Sequence, residues 1–308
     1  MTQDAAADLD IGFRTADRLG DLSSARLLVL SSEAIDDPAT RAILTSPRPA
    51  GTRTIIDCAR LAEPVTAGEN SVREQLLDIL ACADEIWASD ADTAGLVAAR
   101  GVPTRQIPNS IDQRVWRDFH ARLSFADARQ KVRVLIMCHG GDQWVREFLA
   151  ASEPALSGRL EYLVVGPGVN ALLPSGRRRA WIKTIDAPPA RRNYLRHVEW
   201  LRSQAQFHIG ISSGLAEADR LFLEYAALGA VPLIATEQGV DAAVRDDYLA
   251  LVGDGTVTSA LRAVEHVVRD PMPFQALAAA ARDFVWRARD AADASAVISA
   301  ALRKIGGL

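Results

Sequence analysis

Short, continuously apolar runs rich in β-branched residues alternate along this chain with longer alanine-, leucine- and arginine-rich stretches of helical spacing. A strand that is apolar on both sides has to be covered on both faces, so this alternation points to parallel sheets flanked by helices. In the first half it predicts strands at Arg26–Ser31, Arg53–Cys58, Glu85–Ser89 and Thr104–Ile107. Helices are expected near Pro38–Leu44, Ser71–Ala83 and Ala91–Arg100, the last stopped by Gly101 and Pro103. Residues 1–24 are polar and alanine-rich and read as a tail with a short helix.

Pro108-Asn109-Ser110-Ile111-Asp112 interrupts the pattern, and a polar, arginine-rich stretch follows to Lys131. The alternation then restarts. Strands are expected at Val132–Cys138, Leu160–Val165, Ala180–Ile185, Phe207–Ile211 and Val231–Ala235, with helices near Gln143–Ala151, Tyr194–Ser203 and Glu217–Leu228. From Val257 to Lys304 the chain reads as helical, broken by Pro271 and Pro273. Two such series in 308 residues predict two doubly wound, Rossmann-like α/β domains, at 1–115 and 116–308, with the last helices free to cross back onto the first. Ligands of such sheets sit beyond the carboxyl ends of the strands. The loops after Cys138, Val165 and Ile211 are therefore expected around one site.

Composition narrows the function. A net charge of −4 gives no global basic field, which argues against a dedicated nucleic-acid binder. Only Lys131, Lys183 and Lys304 are lysines, so a side-chain contact to phosphate will be an arginine. Cys58, Cys82 and Cys138 are far apart in apolar runs and read as core residues, with no zinc-ligand spacing. No metal or other cofactor is expected. The N-terminus lacks a signal-peptide pattern and no apolar run is long enough to span a membrane, so a cytoplasmic protein is expected, with peripheral contact at the inner face of the membrane left open.

The most specific stretch is FHIGISSGLAEADRLFLEYAALGAVPLIAT, Phe207 to Thr236. A buried strand ends in Ser212-Ser213-Gly214, a helix carries Glu224-Tyr225 and ends at Gly229, and Pro232 opens the next strand. Upstream lie Ala83-Asp-Glu-Ile-Trp-Ala-Ser-Asp90, Ile107-Pro-Asn-Ser-Ile-Asp112 and Val165-Gly-Pro-Gly168. Together these resemble the GT-B glycosyltransferases of the family-4-like branch, whose linker reads IPNGID and whose second domain carries an LEA.A.G.PV signature. Similarity is greatest to a bacterial subgroup of surface-polysaccharide and O-antigen-type enzymes, and it spans roughly residues 25–285.

The resemblance implies a GT-B fold of two domains facing a cleft, the donor nucleotide-diphosphate sugar on the second and the acceptor, a glycan or lipid-linked sugar, on the first. It implies metal-independent hexose transfer. Glu224 matches the glutamate that receives the donor's ribose hydroxyls, a role that suits the paired acceptors of a carboxylate; a solvated helix position is the alternative. Gly140 and Gly141, after His139, match a loop under the donor phosphates, where the lack of Cβ lets backbone approach closely; a plain βα turn is the alternative. Gly166 matches a turn near the base or sugar and is otherwise a tight turn. The hydroxyls of Ser212 and Ser213 suit phosphate, His139 is the candidate to touch the sugar or leaving phosphate, and Asn109 sits in the hinge linker.

There are departures. Ala216 stands where the family has its first acidic residue, with Glu217 and Asp219 out of register. The subgroup's lysine-serine pair falls at Ala218 and Asp219, its FDIG aspartate is His208, and the acidic run after an early strand is reduced to Asp57. Arg146 and Arg220 are the available substitutes for the cations that neutralise the diphosphate. The first domain is short, with early strands missing from the pattern. These departures keep open a second expectation, a catalytically degenerate GT-B module serving as scaffold or partner in surface-polysaccharide synthesis. A nucleotide-sugar epimerase of the same fold lacks an identifiable carboxylate and histidine set. Asp90-Ala91-Asp92 reads as a helix cap rather than a metal motif. The clusters at Arg177–Arg179 and Arg191–Arg192 read as solvated loops that also suit an anionic surface. His120, His197 and His266 stand isolated.

Overall fold

The computed structural model describes residues 27–31, 38–45, 51–58, 67–89, 91–116, 131–137, 143–156, 158–166, 169, 182–186, 194–204, 207–212, 218–235 and 242–306. The chain divides into two compact units: Met1–Asn109 together with Ala291–Leu308, and Ser110–Asp290.

Among the described residues the first unit holds four parallel strands, β1 (Leu27–Ser31), β2 (Arg53–Cys58), β3 (Glu85–Ala88) and β4 (Thr104–Gln106), side by side in chain order. Helices α1 (Pro38–Thr45), α2 (Ala67–Leu80) and α3 (Ala91–Ala98) connect them. Their buried Leu44, Leu77, Leu80 and Val97 form one core with Ile56, Cys58 and Ile86. Alternation along each strand sends its neighbours the other way. Ile55 and Trp87 meet Ile298, Ala301 and Leu302 of the chain's last helix, Ala291–Gly306.

The second unit opens with the single turn α4 (Gln113–Trp116). Among the described residues six parallel strands follow: β5 (Val132–Met137), β6 (Leu160–Gly166), β7 (Ile182–Asp186), β8 (Ile209–Ser212), β9 (Val231–Ile234) and β10 (Leu251–Val252), in the order β10-β9-β8-β5-β6-β7. Between them run α5 (Gln143–Leu156), α6 (Tyr194–Ser203), α7 (Ala218–Ala227) and α8 (Ala242–Asp246). Then come α9 (Val257–Arg269) and α10 (Met272–Ala288), after which the chain rejoins the first unit as α11, the helix at Ala291–Gly306. On one face Leu135, Leu163, Val165 and Ile234 pack with α6, α7 and α10 through Val198, Phe222, Tyr225 and Val285. On the other, Val134, Ile136, Val164, Ile209 and Leu233 pack with α5 and α9 through Val145, Phe148, Val264 and Val267. Val134, Leu135 and Ile136 of β5 thus serve opposite cores in turn, which is why the middle of the strand is continuously apolar.

The predicted strands are present with small shifts; the run expected from Ala180 begins at Ile182 among the described residues. β10 and α8 were not foreseen. The helical tail differs more. It ends α9 before Pro271 as expected, but Pro273 sits inside the first turn of α10, where a missing N–H costs nothing. The second break falls at Arg289–Asp290, with no proline or glycine. There the Ile111 amide donates to the Arg289 carbonyl at 2.9 Å and Ile111 bridges Asp290, so the break is set by a partner far away in sequence. Cys58 is buried, Cys82 is half-buried with its thiol toward the Asp78 carbonyl, and Cys138 lies outside the described residues. So does the segment 1–24.

Candidate functional site

The strand order of the second sheet reverses between β5 and β8: β6 and β7 continue one way from β5, and β8, β9 and β10 the other. Right-handed crossovers running in the two directions put their helices on opposite faces, and the carboxyl edge between them is where doubly wound sheets take their ligands. Register places Met137, at the end of β5, level with Val165 of β6 and Ser212 of β8. Gly166 follows Val165 and lies level with Asp186. Two predicted residues, Gly166 and Ser212, therefore flank Met137 along one edge.

Helix α7 packs on the face of the sheet beside this edge. Every residue from Leu221 to Ala235 is buried, and its turn closes at Gly229 with φ +71, a left-handed conformation that glycine adopts without strain. Within that apolar run sits one carboxylate, Glu224, at 3% exposure. The solvated reading of Glu224 is thus excluded. Burying a carboxylate is costly unless it is paired and hydrogen-bonded. Arg220, one turn earlier and half-exposed, places its Nε 4.0 Å from the Glu224 Oε1. Arg220 and Glu224 are brought together as an i,i+4 pair.

The next residue ties the helix to the sheet. Tyr225 is fully buried, and its hydroxyl donates to the Ile211 carbonyl at 2.8 Å and accepts the Met137 amide at 3.2 Å. Its ring lies against β8 at Gly210, where a Cβ would stand 2.2 Å from the Tyr225 Cγ. Neither Tyr225 nor Gly210 was assigned a role from sequence. The usable signal was Gly210 itself, a lone glycine inside a strand pattern, which marks a close approach.

Other predicted positions fall elsewhere. His139, Gly140, Gly141 and Ser213 lie outside the described residues, as do Asp90, His120 and the arginine clusters 177–179 and 191–192. Arg146 is on α5 and exposed. Ser212 is buried at the end of β8. His208 is at the opposite end of that strand, away from the ligand edge. Its Nδ1 accepts the Arg133 amide at 3.0 Å, and its own amide donates to the Arg133 carbonyl at 2.9 Å. Burial, and then the Arg133 charge, hold its pKa below the usual histidine value. Arg133 also pairs with Glu161 at 3.1 Å and lies over the Phe207 ring. His266 packs edge-on against Phe274. In the linker, Asp112 accepts from the Arg114 amide at 2.9 Å and its guanidinium at 2.8 Å, which lower the Asp112 pKa. Among the described residues no cluster of three metal-ligating side chains occurs, and no helix is long and apolar enough to cross a membrane.

Two parallel α/β sheets of this build define a GT-B fold, and solved structures agree. The chain superposes on sucrose-phosphate synthase from Thermosynechococcus elongatus with a TM-score of 0.66, covering 92% of this chain and 74% of that one at 12% identity. It superposes on Anabaena HepE in complex with UDP-glucose at 0.65, covering 92% and 80% at 12% identity. For α,α-trehalose 6-phosphate synthase from Burkholderia multivorans the score is 0.64, covering 94% and 73% at 15% identity. No protein-family profile matches the sequence, and no curated protein matches it. At these identities the likeness establishes the fold.

Proposed function

We propose that this chain is a glycosyltransferase that moves a hexose from a nucleotide-diphosphate sugar to a glycan or lipid-linked acceptor, as in the family-4-like branch its motifs resemble. The observation that carries the reading is Glu224: a carboxylate held within the buried stretch 221–235, beside the strand-order reversal. There it would accept both hydroxyls of a ribose, a vicinal diol matched by paired oxygens. Support also comes from the fold's company, since HepE is described in complex with UDP and UDP-glucose. Arg220 would stand toward the diphosphate, and backbone amides at the carboxyl edge would share the charge that develops on the leaving group. His139, Gly140, Gly141 and Ser213 enter on their sequence match alone. The reading places the protein in the cytoplasm, in reach of a lipid-linked acceptor at the membrane's inner face.

One observation favours a second reading, a donor-fold module without turnover: Ala216 replaces the first acidic residue of the motif. One experiment tests the site and separates the two. Thermal unfolding is followed with UDP, GDP, dTDP and CDP and their sugars, for the wild type and Glu224→Gln. A nucleotide at about 100 times its Kd adds about 2.7 kcal/mol. The expected result is stabilisation by one nucleotide, reduced in the variant. Release of that nucleotide from its sugar in the presence of acceptor marks the enzyme; binding without release marks the module. No stabilisation by any nucleotide overturns the transferase reading and favours a module that serves as scaffold or partner.

A further inference from the structure

We infer that Tyr225 is a positioning residue for the donor site, setting the place of the Glu224 carboxylate by clasping α7 to the last rung of the β5–β8 ladder. The inference rests on the donor reading above. In a parallel pair where Leu135 is level with Gly210 and Met137 with Ser212, the Met137 amide faces the Ile211 carbonyl. The Tyr225 hydroxyl bonds to both of these groups. It therefore joins a helix side chain to the ladder at the carboxyl edge of the two strands that bound the reversal. The apolar surface between helix and sheet here is non-directional and tolerates sliding. A hydroxyl with one donor and one acceptor partner fixes both the height and the rotation of the helix.

Glu224 is the adjacent residue, so its carboxylate moves with that clasp. The ring needs the gap at Gly210 to reach the rung, since any Cβ there would overlap it. Gly210, Tyr225 and Glu224 thus act as a chain of placement: a missing side chain admits a ring, the ring delivers a hydroxyl, and the hydroxyl locates a carboxylate. Tyr225 touches no substrate in this scheme and acts through its neighbour.

The test is a double-mutant cycle on full-length protein, with Tyr225→Phe, Glu224→Gln and the double variant titrated by calorimetry with the nucleotide that stabilises the wild type. Phenylalanine keeps the ring over Gly210, so circular dichroism should be unchanged. The expected result is a Kd about three- to tenfold weaker for Tyr225→Phe, the worth of one neutral hydrogen bond. The double variant should bind no more weakly than Glu224→Gln, because a positioning residue has nothing to position once the carboxylate is gone. A merely structural tyrosine would lower the unfolding midpoint while leaving Kd unchanged, or weaken binding by a factor that multiplies with the Glu224 loss; either overturns the proposal. A wild type that binds no nucleotide overturns the donor reading, and this inference with it.

Discussion

The two sheets grow from the same alternation of strand and helix and differ in one topological step. In the first, β1 to β4 follow chain order without a reversal. Right-handed crossovers along such a series all fall on one face, and α1, α2 and α3 share a single core there. The opposite face, with Ile55 and Trp87, is left to α11. The second sheet reverses at β5/β8, so its own crossovers supply helices to both faces. One step of strand order thus has two consequences. It makes the second sheet self-covering and gives it an edge where α7 holds a buried carboxylate, and it leaves the first sheet in need of a helix from the far end of the chain.

The largest expected effect tests the dependence of the first sheet on α11. Leu302 is 2% exposed against Ile55 and Trp87. Leu302→Ala should cost about 2–5 kcal/mol, the range for a buried leucine truncated to alanine. Hydrogen exchange should rise in β2 and β3 and stay unchanged in β5 and β8, with nucleotide binding retained. An equal rise in both sheets would break the contrast between a borrowed cover and a native one.

How far the sequence carried this picture follows from the range of the interactions. Strands such as Val132–Met137 are legible because burial on both faces is written in consecutive residues. Gly229 is legible as a helix stop because its φ is a local matter. The end of α10 at Arg289 is not, because its cause is Ile111, at the other end of the unit. Two-residue β10 is too short to carry a period. Glu224 was legible as a motif position but its burial was not, since that depends on how α7 lies on the sheet. The role of Tyr225 was hidden for the same reason: its partner Met137 is 88 residues away.

A smaller effect separates the two ends of β8. At the end away from the ligand edge, His208 accepts a proton less readily when folded than when unfolded. The unfolded chain therefore binds more protons below the ordinary histidine pKa. Stability should be full above about pH 6.5 and fall as pH drops through that value toward the folded pKa, with a slope from this group no steeper than about 1.4 kcal/mol per pH unit. Urea midpoints between pH 8 and 5 measure it. His208→Gln should flatten the curve; a variant with the wild-type slope would assign the pH dependence to another group.

The smallest expected effect lies where the chain enters the second unit. Asp112 caps the single turn α4 through the Arg114 amide and also meets the Arg114 guanidinium. The two contributions differ in kind. The amide cap satisfies a backbone donor and is worth about 1 kcal/mol. The ion pair joins a half-buried carboxylate to an arginine whose side chain is 73% exposed, so solvent screening holds its worth well below that. Asp112→Ala should therefore cost about 1 kcal/mol by urea denaturation, while Asp112→Asn, which keeps an oxygen for the amide, should cost only a few tenths. Because Arg114 holds the Asp112 pKa down, the charged form's contribution is present above about pH 4 and is lost as pH falls through the lowered folded value. Equal losses for the two variants would mean that charge, rather than the cap, holds the turn.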